Sequence, residues 1–305
     1  MIEAVLALSI WAQASAERTP KTMTDAERMN DKIIASKAYD ANARNLLSKQ
    51  FSEAIDGYAP GTQPELLASW GEFIAVDGRP FIALQLALPG VAAPSDVMLF
   101  GRVNDDNGKL ITTYNEKTGV EKSGDDRFVE RALTLPLVKS TGTFGLARGG
   151  EILAMTRVSF DPEPVAQGVP AVSRLIVSSD VHVMSVAQGP RDPFAFGGTK
   201  VVPKPGGQFR RTDALWLFAE LRHPALDASG VPHFTTKLTI TPANIGGPPM
   251  PAEATPLKGM AGHYGIGNTI DIGKLKPGDY TVRVVFTDML SKQAFTREAA
   301  IHIRD

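Results

Sequence analysis

Leu275-Lys276-Pro277-Gly278-Asp279-Tyr280, running into Thr281-Val282-Arg283-Val284-Val285-Phe286, is the stretch on which the fold turns. Pro-Gly makes a turn between two strands, because Pro presets φ near −65° and Gly accepts positive φ. Tyr280 then stands at a strand start, where its ring can enter a core and its hydroxyl can bond backbone a few residues upstream. That is the tyrosine corner of immunoglobulin- and fibronectin-like β-sandwiches. Leu135-Pro136 followed by Gly142-Thr143-Phe144 reads as a degraded copy of the corner, with Phe in place of Tyr.

Outward from this corner the texture is strand and turn. Phe73–Val76, Phe81–Leu88, Val97–Val103, Leu110–Tyr114, Phe128–Leu137, Gly142–Ala147 and Ile152–Phe160 are short β-rich runs. They are separated by Asp77-Gly78, Pro89-Gly90, Asp105-Asp106-Asn107-Gly108, Gly124-Asp125-Asp126 and Arg148-Gly149-Gly150. Many short strands at close spacing predict a sandwich, and no helical stretch separates them as a parallel α/β fold would require. After a Pro-bearing linker at 161–171, a second series follows. It comprises Ser173–Val177, Val181–Val186, Ala214–Arg222, Phe234–Thr241, Gly265–Ile272, Asp279–Thr287 and Phe295–Ile303. Ser178-Ser179-Asp180 reads as a turn between the first two of these.

The expected organisation is therefore mainly β. An N-terminal helix is followed by two tandem immunoglobulin/fibronectin-like sandwiches, at 66–160 and 172–305. Residues 21–56 contain neither Gly nor Pro, and Thr24 and Glu27 have capping-box spacing, so 21–60 reads as a helical spacer. Ahead of it, Ala4–Ala16 is apolar and uncharged, too short for the roughly 20 residues of a membrane span but long enough for a signal's hydrophobic region. Ala12-Gln13-Ala14 and Ala14-Ser15-Ala16 both supply small-x-small cleavage patterns. Residues 1–16 are expected to be a signal peptide, and the protein to be periplasmic or secreted.

Composition narrows the chemistry. The 305 residues carry 32 Lys+Arg against 33 Asp+Glu, a net charge of −1, which does not suit a nucleic-acid or membrane-surface binder. With no Cys, disulfides, thiolate nucleophiles and Cys-ligated metal sites are excluded. The five His never fall at metal-ligand spacing, and no Gly-x-Ser-x-Gly elbow or phosphate-binding loop occurs.

What remains is sparse. Asp105 and Asp106 in one turn and Asp125 and Asp126 in another are the candidate ligands of a calcium ion, should the two turns converge. The same residues are what tight hairpin turns require. Lys200, Lys204, Arg210 and Arg211 among glycines make a small basic loop, read as a solvated edge or an anion contact. Phe194 and Phe196, two aromatics in a Pro/Gly-rich loop, either seal the junction between the units or serve as a partner-binding anchor.

The run Arg191-Asp192-Pro193-Phe194-Ala195-Phe196-Gly197-Gly198, then Val201-Val202-Pro203-Lys204-Pro205 and Phe209-Arg210-Arg211-Thr212-Asp213-Ala214-Leu215, resembles a β-sandwich region of exported bacterial proteins, notably of Acidobacteria. In those it lies beside GWxTD or von Willebrand A-type domains. The resemblance covers about 172–305 and implies an exported β-sandwich module. The chain has no G-W-x-T-D and no D-x-S-x-S, so no catalytic or metal residue is carried over.

These features predict a non-enzymatic exported binding or scaffold protein, without a cofactor, whose partner is a protein or cell-envelope component. A carbohydrate-active hydrolase drawing its carboxylates from separate strands, and a calcium-stabilised adhesion-like module, are the alternatives.

Overall fold

The sequence Pro80-Phe81-Ile82-Ala83-Leu84-Gln85-Leu86-Ala87 has apolar residues at both parities, and a strand of that kind needs cover on both faces. In the computed structural model it has that cover. The structure describes residues 47–62, 64–75, 77–88, 95–163, 168–185, 189, 191–243, 255–258 and 263–305. The expected signal at 1–16 and most of the expected helical spacer lie outside them.

The described residues are mainly β, in four largely antiparallel sheets. The first unit contains β1 (Leu67–Ile74), β2 (Pro80–Ala87), β3 (Asp96–Asp105), β4 (Leu110–Gly119), β5 (Glu121–Ser123), β6 (Asp126–Leu133), β7 (Ser140–Arg148) and β8 (Glu151–Phe160). They form one sheet ordered β1-β2-β6-β5 and another ordered β4-β3-β7-β8. Between these sheets Ile82, Leu84 and Leu86 of β2 meet Leu99 and Val103 of β3 and Phe144 and Leu146 of β7, all essentially inaccessible. Gly101 and Gly142 flank the Phe144 ring, where an added Cβ would overlap it. Phe144 is thus a mid-strand core residue, not a corner. Its neighbours are Tyr114 and Phe160, with ring centroids 6.1 and 6.2 Å away.

The outer face of the β4-β3-β7-β8 sheet is covered by α1 (Lys49–Asp56), the described part of the expected helical region. Ser48 caps it, accepting from the Phe51 N–H at 3.3 Å. Phe51 and Ile55, at i and i+4, share the buried face, and Phe51 stacks on Phe100 with centroids 4.2 Å apart. Gly145 lies beneath the Phe100 ring in the space a side chain would otherwise fill.

The second unit contains β9 (Ala171–Val172), β10 (Ile176–Val183), β11 (Ala195–Phe196), β12 (Thr199–Pro203), β13 (Gln208–Arg210), β14 (Ala214–Arg222), β15 (Phe234–Pro242), β16 (Thr255–Lys258), β17 (His263–Asp271), β18 (Gly278–Asp288) and β19 (Ala294–Arg304). One sheet runs β11-β12-β10-β14-β17-β16 with β9 beside β14, and the other runs β13-β19-β18-β15. Leu215, Leu217 and Leu221 of β14 pack on Val282, Val284 and Phe286 of β18 in the core between them. Tyr280 lies at the edge of this core, and its hydroxyl donates to the Lys276 carbonyl at 2.8 Å.

Two further expectations are corrected. Ser178-Ser179-Asp180 is a bulge inside one continuous strand, β10, not a turn between two. The Ser178 hydroxyl donates to the Val202 carbonyl at 2.5 Å and accepts from the Asp180 N–H at 3.0 Å, which satisfies the backbone the bulge disrupts. The Pro/Gly-rich segment 190–207 is not all loop. It carries β11 and β12, and Lys200 and Lys204 are half-buried rather than solvated.

Candidate functional site

The surface where the two units meet concentrates the buried polar chemistry of the molecule. Side-chain alternation builds it. The odd-numbered residues of β2 (Phe81, Ala83, Gln85, Ala87) and the even-numbered residues of β14 (Phe218, Glu220, Arg222) point away from their own unit's core, toward the other unit. Phe73, Phe81 and Ala83 from the first unit meet Ile176, Phe194, Val201 and Phe218 from the second. Gly71 admits Ile176 closely, since an added Cβ would lie 2.9 Å from its terminal carbon.

Phe194 is 1% exposed and sits edge-on to Phe73 at 5.8 Å, while Phe196 tilts against Phe218 at 5.4 Å. Phe194 holds φ at +52°, a conformation rarely adopted by a bulky residue, and burial of its ring in the junction is what maintains it. The structure thus places both aromatics at the seam between the units.

Around this apolar centre runs an ionic seam in which the first unit supplies acids and the second supplies bases. Asp77 meets Arg191 at 3.1 Å, Asp125 meets Arg210 at 2.8 Å and Asp126 meets Lys204 at 3.0 Å. Glu130 pairs with Lys200, whose ammonium also donates to the Pro193 carbonyl at 2.7 Å. Ser123 adds a hydroxyl donated to Asp180 at 2.6 Å.

The two acidic turns singled out in the sequence therefore have separate duties. Asp125 and Asp126 reach the second unit's cations, and the Arg210 guanidinium holds the Asp125 carboxyl below the usual carboxylate range. Asp105 accepts from the N–H groups of Asn107 and Lys109, both at 2.9 Å, and so closes its own hairpin, with Asp106 exposed beside it. Among the described residues, no group of three or more His, Asp or Glu is arranged to hold a metal ion.

Deeper in the junction lie three charged residues that the sequence reading did not single out. Glu72 is 1% exposed, Glu220 2% and Arg222 1%. Arg222 Nε meets Glu220 Oε2 at 3.1 Å, and its Nη2 donates to the Glu72 carbonyl at 2.6 Å. Glu220 also accepts from the Ile74 N–H at 3.2 Å, and Glu72 Oε1 from the Arg174 N–H at 2.8 Å. Burial raises the Glu72 carboxyl, with Arg222 pulling the other way. Burial likewise pushes Glu130 up to about 7 against the attraction of Lys200. Raised carboxylates of this kind mark acid–base sites when they line a cleft, and structural ion-pair networks perturb them equally. Here the side chains of Glu72 and Glu130 are closed off from solvent, and their partners belong to the other unit. The available signal was the presence of charged residues inside otherwise apolar strands, as in Trp70-Gly71-Glu72-Phe73 and Phe218-Ala219-Glu220-Leu221-Arg222.

Beside this network a cleft of about 380 Å³ opens between β1, β10 and β19. Trp70 forms part of its wall, with the Arg174 guanidinium 4.1 Å above the ring centroid. No protein-family model matches the chain, and no curated protein matches it at a significant level.

Proposed function

We propose that the chain is a non-enzymatic binding or scaffold protein, exported to the periplasm or beyond, in which two immunoglobulin- or fibronectin-like sandwiches act as one rigid body toward a protein or cell-envelope partner. The observation that carries this reading is the junction. Its carboxylates with raised proton affinity are buried and engaged by the other unit, Glu130 by the Lys200 ammonium and Glu72 by the Arg174 N–H, so they serve cohesion between units rather than attack on a substrate. The facing sheet pairs and the Tyr280 hydroxyl bonded to the Lys276 carbonyl support the sandwich assignment. The signal-like start, with its small-x-small patterns before Glu17, supports export.

The test uses the full chain expressed in a bacterial host and followed by fractionation, N-terminal sequencing and incubation with isolated cell envelopes. The expected result is a mature protein starting near Ser15 or Glu17, recovered outside the cytoplasm and retained on envelopes. No soluble saccharide or peptide should be released from them. Release of reducing ends would refute the non-enzymatic reading, and an uncleaved cytoplasmic chain would refute export.

A further inference from the structure

An edge strand shows its unpaired backbone on one side, and β1 is the edge of its sheet, paired among the described strands with β2 alone. In a strand, the N–H and C=O of alternate residues point to the same edge. Three contacts identify which parity faces outward in β1. The Leu66 N–H donates to the Met155 carbonyl at 3.0 Å, the Glu72 carbonyl accepts from Arg222 and the Ile74 N–H donates to Glu220. All three are even-numbered. Ala68 and Trp70 lie between them on the same row, and among the described residues nothing pairs with the edge there. Both residues line the 380 Å³ cleft, whose volume falls in the range of about 300–1,000 Å³ typical of ligand sites.

The opposite wall is also strand. β19 pairs with β13 only over His302–Arg304, so Glu298 to Ala300 come to the cleft beyond that pairing. Charges around the cleft are mostly engaged. Lys204 is held by Asp126 and Asp213, and Glu298 by Arg283 at 2.5 Å. Arg174 differs. It is exposed, its guanidinium carbon sits 4.1 Å over the Trp70 ring centroid, and its guanidinium N–H groups have no acceptor among the described residues, with Glu72, Asp161 and Arg297 as its electrostatic neighbours. A planar fork of donors fixed against an aromatic ring beside open backbone suits a carboxylate side chain on an extended strand.

Building on the binding reading above, we propose that this cleft docks an extended acidic peptide segment. The segment adds to the β1 edge at Ala68 and Trp70 and places a Glu or Asp carboxylate on Arg174. Affinity comes from main-chain hydrogen bonds, and selection comes from the Arg174 guanidinium at the side of the groove.

The test is calorimetric titration of the full chain with three blocked synthetic pentapeptides, together with amide hydrogen exchange. The first is Thr-Val-Glu-Val-Thr, the second has Lys for Glu, and the third is the Glu peptide N-methylated at both Val residues. The Glu peptide is expected to bind and to slow exchange at Ala68 and Trp70. The Lys peptide should bind at least tenfold more weakly, and the N-methylated peptide should not bind. Arg174→Gln should bring the Glu peptide down to the level of the Lys peptide while the protein still unfolds cooperatively in urea, with at most the small loss of its contact with the Trp70 ring. Equal binding of the Glu and Lys peptides, or no protection at Ala68 and Trp70 with millimolar Glu peptide, overturns the docking. So does protection that grows with protein concentration in the absence of peptide, which assigns the edge to a second copy. Polygalacturonate that displaces the Glu peptide and also binds with the same dependence on Arg174, without protecting the two amides, assigns the cleft to acidic saccharide and overturns it as well. Cleavage of a bound peptide would refute the non-enzymatic reading and leave the docking intact.

Discussion

Replacing Arg222 with Ala tests the junction most directly. The guanidinium is fully buried, with side-chain exposure of 0%, and holds two groups from different units, the Glu220 carboxylate and the Glu72 carbonyl. Removing one partner of a buried ion pair usually costs about 3–5 kcal/mol, because the remaining charge stays out of water without compensation. Glu220 retains the Ile74 N–H at 3.2 Å, so the loss should fall at the lower end, about 3 kcal/mol. With a urea m-value of roughly 2–3 kcal/mol/M for a chain of this size, the midpoint should drop by about 1 M. Fluorescence and far-ultraviolet circular dichroism should follow one transition in the parent, because the units share a buried interface, and should separate in the variant. The pH dependence gives an independent check. Burial already raises Glu72 above its unfolded value and Arg222 opposes that, so without Arg222 its proton affinity climbs further. A group whose folded pKa is raised contributes stability at low pH and loses it as pH rises, so the variant's deficit should shrink on acidification. A variant within about 0.5 kcal/mol of the parent, with a pH-flat deficit, would refute a cohesive role for this cluster.

Three further outcomes are expected. Tyr280→Phe removes only the hydroxyl that donates to Lys276 and should lower stability by about 1–2 kcal/mol, whereas a urea melt identical to the parent's would place that oxygen in solvent. Glu130, raised by burial to about 7, should make the parent lose stability between its unfolded pKa and about pH 7, on the order of 3 kcal/mol in all, and Glu130→Gln should flatten that slope in melts run across the interval. Gly145→Ala pushes a methyl into the Phe100 ring that α1 stacks on, so it should cost about 1–3 kcal/mol and weaken protection of the Phe51 amide in hydrogen exchange.

The strands were legible where turn chemistry bounded them. Asp105-Asp106-Asn107-Gly108 closes the β3–β4 hairpin, and Pro277-Gly278 leads into β18 with the Tyr280 bond as read. They were illegible where local punctuation misled. Proline and glycine around Thr199–Pro203 suggested loop, yet β12 pairs there with β10, because tertiary partners outweigh local propensity. The junction is the harder case. Phe194 signalled itself as an aromatic among turn residues. The charged seam did not, because Asp126 and Lys204 lie 78 residues apart and each, taken locally, is an ordinary turn or surface residue. Glu72 and Arg222 are 150 residues apart, and only the pairing of β1's edge with the face of β14 brings them together.

The polarity of that seam bears on how the protein is made. The first unit emerges before the second, from the ribosome or from an export channel, and waits with Asp77, Asp125, Asp126 and Glu130 uncovered around an apolar centre. Two nascent copies in that state present each other the same acidic rim, and like charges set directly opposite repel. Only the later half of a chain carries Arg191, Lys200, Lys204 and Arg210, so the half-made molecule is turned away from its own kind until its complement arrives.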